Sequence, residues 1–142
     1  MKFWRKFYAY WIDSGYYWWG DKFIRQGAKS NYELVLLHTG YMMILPTGLL
    51  VFIGVKLLGV PYGALRSLVI LLAASFNIGY AIWVKSKLMG EHFVENRFEW
   101  VQTQGRETLH KRSLIALFCV QIPSLCSAFI MYYLAQLIDT FL

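Results

Sequence analysis

Charge is scarce in this 142-residue chain. Asp, Glu, Lys and Arg make up 15% of it, against about 25% in an average soluble domain. That shortage excludes a disordered arm and a nucleic-acid-binding tail. Cysteine is limited to two residues. Cys119 and Cys126 are seven positions apart, so on a helix their Cα atoms stand about 10 Å apart, beyond the ~7 Å that a disulfide spans. They read as small apolar side chains. The three histidines are too few for the clustered His motifs of membrane oxygenases and desaturases. No Gly-rich phosphate loop, no Ser/His/Asp arrangement, no Cys/His zinc pattern and no internal repeat appears. The beginning of the chain lacks the apolar core and small-residue cleavage site of a signal peptide.

What is abundant is apolar. Hydrophobic residues reach 58% and aromatics 18%. Crossing the roughly 30 Å hydrocarbon core as a helix takes ~20 predominantly apolar residues. Three stretches without a single Asp, Glu, Lys or Arg fit that length: 34–55, 67–84 and 113–138. A soluble fold would be left with no polar faces to solvate. The expectation is an all-α integral membrane protein with three transmembrane helices. Residues 1–33 then form a cytoplasmic or interfacial segment, 56–66 an outer hairpin turn built on Gly59, Pro61 and Gly63, 85–112 a cytoplasmic amphipathic segment and 139–142 an outer tail. The first span would serve as its own uncleaved insertion signal.

The basic residues give the direction. Lys2, Arg5, Lys6, Lys22, Arg25 and Lys29 precede the first span, and Lys85, Lys87, Arg97, Arg106, Lys111 and Arg112 lie between the second and third. Only Lys56 and Arg66 flank the hairpin. Positively charged loops stay on the cytoplasmic side. The expected placement is a multi-pass protein of an inner, cytoplasmic membrane, with its N-terminus inside and its C-terminus outside.

The two cytoplasmic segments carry most of the remaining character. Residues 1–30 hold eleven aromatics, with pairs at 3/4, 7/8 and 10/11 on one helical face and Asp13 away from its centre. Gly15 and Gly20 predict two short helices there. Trp4, Phe7, Tyr8, Trp11, Trp18 and Trp19 suit either the headgroup level of a bilayer or a docking surface for a partner. Phe98 and Trp100 join them from an expected amphipathic helix over 88–112, which places His92, Glu95, Asn96, Glu99, Thr103 and Arg106 on its polar side. Gly105 would end that helix.

Groups with chemical capacity are few. Glu91, Glu95 and Glu99 share a helix face with His92 at its edge, and Glu107 with His110 forms one Glu-x-x-His element. A di-iron bundle needs that element twice plus two more Glu residues, so these read as a solvated charged face. His38 and Tyr41 lie one turn apart near the inner end of the first span, where an intramembrane His is a functional-site hypothesis with haem or a quinone as its ligand. A polar interhelical contact is the plainer reading. Ser75, Asn77 and Gly79 in the second span, and Gln121, Ser124 and Ala128 in the third, form small-residue helix-packing faces with polar side chains that hydrogen-bond across helices. Pro46 and Pro123 are expected to kink their spans.

Function is therefore expected without catalysis: no enzyme, no catalytic or metal-binding residues and no cofactor beyond lipid contacts. The partners expected are membrane lipids and other membrane subunits or further copies of this chain, with no nucleic acid. The leading reading is a small subunit that anchors or scaffolds a larger inner-membrane complex. In topological outline (basic aromatic segment inside, hairpin, polar cytoplasmic loop, third span) the chain is similar to the three-span anchors of fumarate reductase, which implies a respiratory anchor contacting haem or quinone. A further alternative is an immunity or exclusion protein that blocks a pore-former or incoming phage DNA by lateral helix contact.

Overall fold

The computed structural model describes residues 1–59 and 63–141, and 91% of the chain is helical with no strand among the described residues. In order come α1 (Lys2–Trp19), α2 (Asp21–Arg25), α3 (Gly27–Leu57), α4 (Ala64–Gly90), α5 (Phe93–Gln102), α6 (Arg106–Ala116), a π-helical turn (Leu117–Gln121) and α7 (Ile122–Phe141). Pro61 of the expected hairpin, and the side chains of Arg66, Ser124 and Ala128, lie outside the described residues.

Of the two breaks expected in the aromatic segment, only the one at Gly20 occurs, dividing it into α1 and α2. α1 passes straight through Gly15 and ends only at Gly20, whose φ of 53° suits a residue without a Cβ. Gly15 serves a different purpose. A Cβ built there would stand 2.5 Å from the ring of Phe23, so its bare backbone lets α2 fold back onto α1. The i, i+3, i+4, i+7 spacing of Trp4, Phe7, Tyr8 and Trp11 makes a continuous stripe, and all four are buried. What covers them is protein: Trp4 meets Tyr80 of α4, Tyr8 meets Val35 of α3 and Trp11 meets Phe23 of α2, while α6 packs on the side of α1 that carries Tyr10 and Asp13.

The single amphipathic helix expected over 88–112 is likewise corrected. α4 ends at Gly90, and His92 takes left-handed backbone angles (φ 49°, ψ 37°) before α5 begins. A second break at residues 103–105 precedes α6. Two turns fold α5 back so that Val94, Phe98 and Val101 face the core, which a straight helix could not achieve.

Two helices, Gly27–Leu57 and Ser67–Gly90, are long and apolar enough to cross a membrane, and only 11% of each apolar window is buried in the chain. A core helix of a soluble protein would be mostly covered. α3 is the central one, packed on α4 along one side and on α7 along another. Pro46 lies within α3, which continues to Leu57. Pro123 occupies the first turn of α7, where its missing N–H is tolerated, directly after the π turn in which the Ile122 amide bonds the Leu117 carbonyl five residues back. The core sits at one end of the molecule: Tyr8, Ile12, Phe23, Tyr32, Val35, Val84, Leu88, Val94 and Leu109 come from α1 through α6 but only from the first turns of α3 and the last turns of α4.

Candidate functional site

The end that holds the core also holds the polar contacts. Asp13 follows the buried Ile12 on α1 and is itself fully buried. Its carboxylate accepts two hydrogen bonds from Arg97 of α5, at 2.7 and 2.6 Å, and a third from Arg112 of α6. Arg97 lies 3.5 Å above the Trp100 ring centre and Arg112 4.3 Å from that of Tyr10, so aromatic faces share the cationic charge that one carboxylate leaves over. The Arg97 side chain is 16% exposed and that of Arg112 26%. This knot joins three helices far apart in sequence.

Tyrosines tie the remaining helices. The Tyr8 hydroxyl donates to the Val35 carbonyl at 2.7 Å and shares a hydrogen bond with Thr39, joining α1 to α3. Burial raises its phenol above the ordinary range. Tyr32 donates to Glu95 at 2.8 Å and accepts from the Val94 amide, joining α3 to α5. The Trp4 indole donates to Tyr80 at 2.8 Å, joining α1 to α4. On the outside, Arg5 pairs with Glu91 at 2.7 Å, which holds that carboxyl below its usual range.

Beside the Asp13 knot lies a partly open cavity of about 500 Å³ between α1, α3 and the π turn. Trp11, Trp18, Trp19 and Phe23 wall it, and Ser14, Gln26, His38 and Gln121 supply its polar groups. The His38 Nδ1 stands 2.9 Å from the Leu34 carbonyl, and its ring packs 5.4 Å from that of Trp11. Gln121 reaches the Ser14 hydroxyl at 3.5 Å, the outer limit of a hydrogen bond.

Other candidate residues are placed as follows. Tyr41 is exposed and lines a separate groove between α3 and α4, so it does not share a site with His38. Asn77 turns inward and accepts from Thr47 at 2.7 Å across the α3–α4 seam, while Ser75 and Gly79 are exposed on the outer side of α4. Trp4, Phe7, Tyr8 and Trp11 are consumed by packing within the chain, as is Phe98, whereas Trp18 and Trp19 remain exposed. Trp100 is half-buried beneath Arg97. Glu107 pairs with Lys111 at 2.8 Å, and His110 packs on Tyr17, so the Glu-x-x-His element is not assembled. Among the described residues no group of three or more His, Cys, Asp or Glu can hold a metal ion.

No family model, no curated protein and no solved structure matches this chain. Its function must be argued from the site alone.

Sequence reasoning overlooked Asp13, Arg97 and Arg112 as a unit. One signal was present: Asp13 is the single carboxylate within the first twenty residues, set among aromatics. Its partners are 84 and 99 positions away, beyond any local pattern.

Proposed function

We propose that this chain is a small polytopic membrane subunit that anchors or scaffolds a larger inner-membrane complex. In this reading residues 113–138 make a third crossing. The N-terminus and the α1–α5–α6 assembly lie at the cytoplasmic face, and the C-terminus lies outside. The twelve basic residues before the first span and between the second and third, against two at the hairpin, support that direction. The assembly is then a rigid platform at the inner surface, held by Asp13 and the buried tyrosines.

The observation that carries the reading is the outer side of α4. This helix packs on α3 and α5, while Leu68, Leu71, Leu72, Phe76, Ile78 and Ile82 are exposed around Ser75 and Gly79. A Cβ added at Gly79 would meet nothing within 4 Å. Small residues flanked by large apolar ones let a second transmembrane helix approach closely, and the partner inferred is such a helix from another subunit. Native mass spectrometry of the protein extracted gently from its own membrane tests this directly. A stable heteromeric complex that is lost in Ser75→Leu and Gly79→Leu variants is the expected result. A monomer, or a complex indifferent to both substitutions, overturns it.

A further inference from the structure

We infer that the cavity between α1, α3 and the π turn binds the dihydroxy ring of a membrane-borne quinol. This inference is independent of any partner subunit, because every group it uses belongs to this chain.

The lining narrows the chemistry. At about 500 Å³ the cavity falls within the range of small-molecule sites. No Lys, Arg, Asp or Glu lines it, so neither a phosphate headgroup nor a cationic amine finds a counter-charge there. The indoles of Trp11, Trp18 and Trp19 and the ring of Phe23 offer flat faces, which favour a planar, uncharged aromatic ligand.

The polar groups then choose the oxidation state. The short contact between His38 Nδ1 and the Leu34 carbonyl requires the hydrogen on Nδ1. In the neutral ring this leaves Nε2 as an acceptor, and among the described residues Nε2 has no partner. A ligand hydroxyl can donate to it, as that of a quinol does and a quinone carbonyl cannot. Among the described residues Gln121 makes only its long contact with Ser14, so its amide keeps a hydrogen to donate to the second ligand oxygen. Gln121 belongs to the π-helical turn, a local widening of the helix that recurs at functional sites because it redirects a side chain. His38 stands about one turn inside the apolar stretch, a depth that suits a ring carried on a hydrocarbon tail.

The test uses the full chain in phosphatidylethanolamine nanodiscs at pH 8, titrated with decylubiquinol, its dimethyl ether and decylubiquinone, with bound ligand read by calorimetry. Saturable binding of the quinol at one per chain is expected, with the ether and the quinone each weaker by about tenfold, the worth of one buried hydrogen bond. His38→Phe and Gln121→Leu should each weaken quinol binding by a similar factor. Absence of saturable quinol binding, or equal binding of quinol and ether, overturns the inference without recourse to any variant. Unchanged quinol binding in both variants overturns it as well.

Discussion

The two ends of this molecule solve the same problem, covering apolar side chains, in opposite ways. At the α1–α5–α6 end, rings are covered by other helices, and several crossings are fastened by directed polar contacts: Asp13 to Arg97 and Arg112, Tyr8 to Val35, Tyr32 to Glu95, Trp4 to Tyr80. Along the outer lengths of α3 and α4 the apolar side chains are left uncovered, with Thr47 bonded to Asn77 across their seam. Burial against protein demands that each polar group be paired, since an unpaired one keeps its full desolvation cost. Contact with lipid demands only that side chains be apolar and that backbone groups bond within the helix. The first end therefore depends on individual residues, and the second on composition.

Substitutions can break that contrast in order of size. Asp13→Ala would leave two largely buried guanidinium groups without a counter-charge and is expected to cost about 3–5 kcal/mol, read as thermal unfolding in detergent. The matched change on the open side, Leu72→Ala, should stay within about 0.5 kcal/mol. Equal effects would erase the distinction. Gly15→Ala forces the Phe23 ring to move, an overpacking loss of about 1–3 kcal/mol. The double variant with Phe23→Ala should be less destabilised than the sum of the two single changes, and simple additivity would refute the contact.

Tyr8→Phe removes the hydroxyl from Val35 and Thr39 and should cost about 1 kcal/mol at neutral pH. Its pH dependence has a definite sign. The folded-state phenol is held above its ordinary value of about 10, so Tyr8 imposes no loss below that pH. As the pH rises past it, the unfolded chain ionises first, and stability falls until the folded phenol also titrates. Melting temperatures between pH 9 and 11 should show a shallower decline for Tyr8→Phe than for the native chain. Among the polar contacts the smallest effect belongs to the seam between α3 and α4, where Thr47→Ala should cost about 0.6 kcal/mol, measured by unfolding in lipid. A loss as large as that of Asp13→Ala would show that the seam, too, relies on specific polar pairing.

Much of the architecture was legible in the amino acids. Long runs without charge mark the apolar parts of α3 and α4, because a helix that meets no water needs no polar face, and the glycines at 20, 59 and 63 mark helix ends and starts. His38 and Gln121 were each identifiable as polar groups within apolar stretches, but their meeting around one cavity with Ser14 and three tryptophans was not. The pairing of His38 with Tyr41 failed for a geometric reason. Residues three apart on α3 diverge enough for one to face α1 and the other the α4 groove.

By itself the order of residues determined that this chain is helical, that two of its helices have the length and composition to cross a bilayer, and that positive charge gathers beside particular ones. Only the tertiary structure decided that the aromatic stripe of α1 lies against α2, α3 and α4 instead of facing lipid, that Gly15 makes room for a ring, and that Asp13 is the centre of a cationic knot. The reason is that periodicity reveals which side of a helix avoids water and is silent about what lies against it. A neighbouring helix and a hydrocarbon chain both exclude water, and only the path of the backbone between distant segments selects between them.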